Sequence, residues 1–130
     1  MQNVECKIMN ESNREIHERL KKYAINIVKL AGDLPRAPGV YRVADQLVGA
    51  GTSPAANARE ADRARSSQEF ISCMGISLKE LSEAKLWLEI IQALKWTDEQ
   101  KVQSLTQETD ELSKILATII LNAKENLSKK

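Results

Sequence analysis

Turn-forming and aromatic residues are scarce in this sequence. Its 130 residues include five glycines and three prolines, and aromatic residues make up only 4%. A β-sandwich or a β-barrel needs many turns, so this scarcity argues against both. Hydrophobic residues reach 42% and charged residues 28%, which is typical of a mostly helical single domain.

Features that would direct the chain into or across a membrane are also missing. The start, MQNVECKIMNESN, lacks the apolar core of a signal peptide, and no apolar run approaches the about 18 residues of a membrane span. Cys6 and Cys73 are too few and too far apart for a disulfide framework. We therefore expect a cytoplasmic protein with free thiols and no membrane partner.

The residue patterns of known catalytic and metal sites are absent from the sequence. The single histidine, His17, lies among charged residues and is expected to be solvated, and no Glu-x-x-His pair is present for a di-iron site. Zinc motifs, a glycine-rich phosphate loop and a nucleophile elbow are likewise missing. Cys73, beside Phe70 and Met74, is expected to be a buried, unreactive thiol. The sequence thus predicts no metal, no cofactor and no enzymatic activity.

Apolar residues recur at spacings of three and four in four segments, which indicates amphipathic helices. We predict one domain over residues 1–130, with a flexible start at 1–11 and helices at about 12–32, 38–65, 67–95 and 97–126. Capping boxes open three of these helices, at Ser12, Ser66 and Thr97. Short connections between heptad-like stripes predict an all-α, antiparallel, up-down-up-down four-helix bundle.

The second helix contains the stretch AGTSPAANAREADRARSS at residues 50–67. Pro54 removes a backbone donor, and Ser53 before it could act as a cap, so we expect a kink or a brief break at residues 50–54. On a helical wheel, one side carries Asn57 and small alanines suited to close packing. The other side carries Arg59, Glu60 and Arg63. That charged side is either solvated or meets an acidic partner or a phosphate.

The third helix has a second stripe besides its core stripe, formed by Ile76, Glu80, Glu83, Trp87, Ile90 and Leu94. A helix with two apolar stripes must be covered on two sides, which predicts contacts between subunits. The two glutamates in this stripe would need cations if they are partly desolvated. Arg59 and Arg63 are the candidates, and a structural ion-pair network is favoured over a Glu80–Glu83 acid–base pair.

The stretch from Gln46 to Ile91 resembles the central signature of a bacterial four-helix bundle family, which includes proteins encoded by intervening sequences in 23S ribosomal RNA genes. The family pattern is Q-L-x-x-A-x-T-S-x-x-A-N-x-x-E-A, then A-R-S-x-x-E-F-I, then I-x-x-K-E-x-x-E-x-x-x-W-L-E. The matching residues are Gln46, Leu47, Ala50, Thr52, Ser53, Ala56, Asn57, Glu60, Ala61, Ala64, Arg65, Ser66, Glu69, Phe70, Ile71, Ile76, Lys79, Glu80, Glu83, Trp87, Leu88 and Glu89.

The resemblance also has implications for assembly. This family is similar in fold to the accessory variability determinant of diversity-generating retroelements, which works with a reverse transcriptase and nucleic acid. Both groups look like ring-shaped homopentamers, so the resemblance implies the same assembly here. Cys73 stands where many relatives carry lysine. A ring of this chain would therefore have one positive charge fewer in each subunit.

Two functions remain open from the sequence. The first is a non-enzymatic homopentamer whose interface uses the second stripe of the third helix together with Asn57, Arg59, Glu60 and Arg63. The alternative is an accessory module that binds RNA, or a nucleic-acid-processing protein, through a basic surface of the ring. Its candidate contacts are Arg36, Arg42 and Arg65, together with Arg59 and Arg63. The net charge of +1 gives the whole chain no basic excess, so ring symmetry would have to concentrate these arginines.

Overall fold

The computed structural model describes the backbone of residues 4–129 and the side chains of residues 14–129. Four helices make up the fold: α1 (Val4–Gly32), α2 (Pro38–Asp62), α3 (Ser67–Leu94) and α4 (Glu99–Ser128). Consecutive helices pack side by side, and α1 and α4 are in the least extensive contact. The described part of the chain has no strand. The predicted all-α four-helix bundle is confirmed.

The bundle core is formed by the stripes that the sequence periodicity predicts. All six predicted positions of the first helix are buried: Ile16, Leu20, Tyr23, Ile27 and Leu30 within α1, and Leu34 just after its end. Leu20 and Ile27 are wholly inaccessible to solvent. The predicted α3 stripe is buried from Met74 to Ile91, while its first member, Phe70, is half-buried. In α4, the predicted positions from Val102 to Leu116 are buried, while the two beyond them are half-buried. Burial of these side chains is the main stabilising contribution to the fold.

The helix ends differ in detail from the predicted ones. Ser66 caps α3 as predicted, because its Oγ accepts a hydrogen bond from the Glu69 N–H at 3.1 Å. The α4 cap is wrong by one residue: Asp98, not Thr97, accepts from the Gln100 N–H at 3.0 Å. Helix α1 begins at Val4 rather than at residue 12, since no glycine or proline in residues 4–12 interrupts it. Residues 1–3 and the predicted cap of Ser12 lie outside the described residues.

Helix α2 runs without a break through Pro54, so the predicted interruption and the capping role of Ser53 are wrong. Side-chain donors hold the carbonyls around the proline: Thr52 Oγ1 donates to the Val48 oxygen at 2.7 Å, and Ser77 Oγ of α3 donates to the Pro54 oxygen at 2.9 Å. Neither bond reaches the Ala50 carbonyl, four residues before the proline, which is the one that the missing N–H would have served. The helix ends at Asp62, earlier than predicted. A kink in its axis stays a prediction.

Helices α1 and α2 approach each other closely at Gly51, which is buried. A Cβ atom at this position would lie 2.6 Å from Cγ2 of Ile27. That distance is too short for any side chain, so the close approach requires glycine. Gly49, two residues earlier and exposed, has no such neighbour.

One polar pair lies inside the core, between Tyr23 of α1 and Thr109 of α4. The two hydroxyl oxygens are 2.7 Å apart, and Thr109 Oγ1 also donates to the Leu105 carbonyl oxygen at 2.6 Å. Because the threonine hydroxyl has a single proton, Tyr23 must be the donor of the shared bond. Burial, aided by the charge of Glu108, raises the pKa of Tyr23 to about 12. The phenol is therefore held neutral in the fold.

Candidate interaction surfaces

The second stripe of α3, hereafter the α3 outer stripe, lies beside the core stripe and is more accessible to solvent. Ile76 and Leu94 near its two ends are 44% and 54% exposed. Between them, Glu80, Glu83 and the two large apolar residues Trp87 and Ile90 are half-buried. Trp87 packs against the core cluster, and its indole Nε1 is buried without a hydrogen-bond partner in the described structure. The stripe thus combines apolar side chains with two carboxylates.

The small-residue side of α2 packs into the bundle as the wheel predicts. Ala58 and Ala61 are 1% and 2% exposed. Asn57 is half-buried, and its Nδ2 donates to the Ser53 oxygen of the same helix at 3.0 Å. The predicted need of Asn57 for a hydrogen-bond partner is therefore met within α2, with no involvement of a second chain.

The charged side of α2 carries Arg59 and Glu60, and Arg63 follows directly after the helix; all three are exposed. None of the ion pairs among residues 14–129 joins either arginine to Glu80 or Glu83. Within one chain the predicted network does not form, and it stays a prediction for contacts between copies.

The polar side-chain contacts that do form are mostly between neighbouring helices, and none was predicted from the sequence. Arg19 of α1 binds Glu108 of α4 through two hydrogen bonds, of 2.5 Å from Nη2 and 3.2 Å from Nε, and this bond raises the pKa of Arg19. The expectation of a solvated His17 is wrong: the ring is half-buried, and Nε2 lies 2.5 Å from Oδ2 of Asp62. Pairs between residues of different helices can be predicted only if the alignment of those helices along each other is known.

Two further ion pairs border shallow surface grooves. Lys85 of α3 lies 2.8 Å from Asp110 of α4, and Lys101 of α4 lies 3.4 Å from Asp33, which follows the end of α1. Groups of three or more metal-ligating side chains do not occur in the described part of the chain. Cys73 is half-buried and packs against the core cluster.

The predicted RNA contacts Arg36, Arg42 and Arg65 are exposed, as are Arg59 and Arg63. Among the ion pairs of residues 14–129, none involves any of these five arginines. They divide between the two ends of α2, which are about 36 Å apart for 25 residues at a rise of about 1.5 Å per residue. The structure therefore brings them together as two groups rather than as one patch. Between residues 4 and 129, no helix is both long and apolar enough to cross a membrane.

Comparison with known proteins identifies the family. The model of the 23S rRNA-intervening sequence protein family matches residues 12–118. A crystal structure of a protein of unknown function from the S23 ribosomal protein family of Bacteroides thetaiotaomicron is 30% identical, with a TM-score of 0.76. The alignment covers 81% of this chain and 97% of that chain. No curated protein is detectably similar. Because the matched residues include most of each helix, this chain belongs to the 23S rRNA-intervening sequence protein family.

Proposed function

We propose that the protein is a non-enzymatic, cytoplasmic subunit of a homo-oligomer, and that its working form is a ring of five copies. The observation that carries this proposal is the α3 outer stripe, in which large apolar side chains remain accessible in a single chain. Contiguous apolar patches on monomers are small, and larger ones usually mark interaction sites. The resemblance to ring-shaped homopentamers favours five copies.

The carboxylates of the stripe support the same proposal. Glu80 and Glu83 are half-buried and have no cation among the ion pairs of residues 14–129. A partly desolvated carboxylate gains from a nearby positive charge. A second copy of the chain can supply that charge, because it carries exposed and unpaired arginines.

Light scattering coupled to size-exclusion chromatography tests the proposal. The expected mass at micromolar concentration is five times the 14.6 kDa of one chain. A variant with Ile76→Glu and Leu94→Glu should elute as a folded monomer, because both positions are already exposed and the bundle core is untouched. Leu86→Glu is the matched control, since Leu86 is 49% exposed on the same helix but outside the stripe. A wild-type protein that is monomeric under these conditions contradicts the proposal.

A second candidate function is RNA binding, favoured by the five exposed and unpaired arginines on and around α2. Phosphate contacts release counterions, so the affinity for structured RNA should fall steeply with salt. Replacing Arg59 and Arg63 by glutamine should reduce the slope of log affinity against log salt by about two. The control variant replaces Lys124 and Lys129, which are exposed at the C-terminal end of α4, by glutamine. Absence of binding at low salt rules this candidate out.

A further inference from the structure

The seam between α1 and α4, the line along which these two helices contact each other, differs from the other seams of the bundle. Successive helices are joined by short connections, whereas α1 and α4 are the first and the last of the four and no connection links them directly. Among the described residues, these two helices are also in the least extensive contact of the neighbouring pairs. The seam is therefore held only by the side chains that cross it.

Two polar contacts hold the middle of this seam. Arg19 of α1 binds Glu108 of α4 through two hydrogen bonds. Tyr23, one turn further along α1, shares a hydrogen bond of 2.7 Å with Thr109, the residue after Glu108. On the α1 side both contacts use long side chains with a polar end, which can span the space between helices that do not approach closely. We call these four residues the α1–α4 latch.

Beyond the latch, a groove of about 720 Å³ lies between the two helices. Leu30 of α1 and Leu105 of α4 are among the residues that line it. Lys101 and Asp33 also line it, and they form an ion pair at 3.4 Å. Both of these residues are exposed, and an exposed ion pair contributes little to stability. Along this part of the seam, α1 and α4 are thus only loosely held together.

The neighbouring seams are closed by helices that approach each other closely. Gly51 of α2 lies against Ile27 of α1, where a Cβ atom would be 2.6 Å from Cγ2 of the isoleucine. Ser77 of α3 donates to the Pro54 carbonyl oxygen of α2 at 2.9 Å, and a side chain as short as serine reaches a backbone carbonyl only between close helices. Helices α3 and α4 are likewise in more extensive contact than α1 and α4. Separation of α1 from α4 can leave all of these contacts in place.

We propose that the bundle opens along the α1–α4 seam without unfolding as a whole, and that the ionic strength controls how often it opens. Parts of a fold with few packing contacts open at a lower free energy than the whole fold. Arg19 and Glu108 are both partly exposed, so salt screens their attraction and weakens the latch. Opening uncovers Tyr23 and Thr109, which are buried in the closed bundle. The motion takes place within one chain and does not depend on the proposed oligomer.

The rate at which a buried thiol is labelled measures the opening of the seam beside it. The bundle offers two buried hydroxyl side chains for a matched comparison: Thr109 at the α1–α4 seam is 1% exposed, and Ser77 at the α2–α3 seam is 0% exposed. Each is replaced by cysteine in a full-length chain whose own Cys6 and Cys73 are changed to serine. With dithionitrobenzoate as the reagent, the thiol at position 109 should react at least about tenfold faster than the thiol at position 77. Leu105→Cys, also in the α1–α4 seam and 7% exposed, is the second reporter if Thr109→Cys prevents folding.

Urea distinguishes opening of the seam from unfolding of the whole bundle. Labelling through global unfolding rises steeply with urea, because unfolding exposes a large surface, whereas an opening that keeps all four helices exposes little. At low urea, the rate at position 109 should therefore be nearly constant, while the rate at position 77 should follow global stability. The comparison of slopes does not depend on a difference in overall stability between the two variants. If the two thiols react at the same rate with the same dependence on urea, the seam does not open separately and the proposal is wrong.

Arg19→Gln tests the latch and its dependence on salt. At low salt this change should raise the labelling rate at position 109 about two- to fivefold, as expected for the loss of a partly exposed ion pair, and leave the rate at position 77 unchanged. An increase from about 0.02 M to about 0.5 M sodium chloride should have a similar effect on the chain with Arg19 and little effect on the chain with glutamine. The control is Lys85→Gln, which removes an ion pair across the α3–α4 seam and should not change the rate at position 109. A rate at position 109 that responds neither to salt nor to Arg19→Gln contradicts the control of opening by ionic strength.

Discussion

The buried hydrogen bond from Tyr23 to Thr109 makes the stability of the bundle depend on pH in a defined way. Tyr23 is 1% exposed, and burial raises the pKa of its phenol to about 12. In the unfolded chain the pKa of tyrosine is about 10. Replacement of Tyr23 by phenylalanine removes the titrating group and keeps the ring.

The size and sign of the effect follow from these two pKa values. Below about pH 10 the phenol is neutral in both states, and its contribution to stability is fully present. Between about pH 10 and pH 12 only the unfolded chain releases the proton, so the folded state loses up to about 3 kcal/mol, at about 1.36 kcal/mol per pH unit. Above the folded pKa no further loss occurs.

The comparison between wild type and Tyr23→Phe isolates this contribution. At about pH 8 the variant should be less stable by about 1 kcal/mol, because Thr109 keeps its bond to the Leu105 oxygen and only one hydrogen bond is lost. The difference in unfolding free energy should vanish at about pH 11 and reverse above it, because ionisation of Tyr23 in the unfolded chain lowers the stability of wild type only. Urea unfolding at one fixed protein concentration measures this free-energy difference at each pH.

A matched variant controls for the titration of other groups. Tyr41 is 55% exposed, so Tyr41→Phe should track wild type across the same pH range. The reasoning is refuted if the stability difference between wild type and Tyr23→Phe stays constant from about pH 8 to about pH 12.

Three further predictions concern packing, ion pairing and capping. Gly51→Ala should destabilise the bundle by about 1–3 kcal/mol, because its Cβ would lie 2.6 Å from Ile27, whereas Gly49→Ala should stabilise it by about 0.5–1 kcal/mol; equal effects in urea unfolding would contradict the close approach. A double-mutant cycle on Arg19 and Glu108, both partly exposed, should give a coupling energy of about 1 kcal/mol that falls with salt, and a salt-independent value would argue against the pair. Ser66→Ala should lower stability by about 1 kcal/mol through loss of the α3 cap, and unchanged thermal unfolding would show that the cap is not needed.

The periodic features of the fold could be predicted from the sequence, because they depend on local spacing alone. Leu20, Ile27 and Leu81 recur on single helix faces, and a helix that repeats apolar residues in this way must bury that face. The same logic located the α3 outer stripe and the alanine side of α2. No knowledge of the neighbouring helices was needed for any of these.

Features that depend on two helices at once were missed or wrong. The break expected at Pro54 does not occur, and Ser77 of α3 binds the Pro54 carbonyl. His17 was expected in solvent because its sequence neighbours are charged, yet Asp62 of α2 lies beside it. Each outcome depends on the register between helices, which spacing within one helix does not determine.

Helix α2 has a central place in the bundle, because it packs against both α1 and α3. Its buried small residues allow this close packing: Gly51 admits Ile27 of α1, and Ala58 and Ala61 are buried on the packed side of the helix. The bond from Ser77 to Pro54 ties α3 to α2 at mid-helix. The small residues between 50 and 61 are therefore those that let α2 pack closely between its two neighbours.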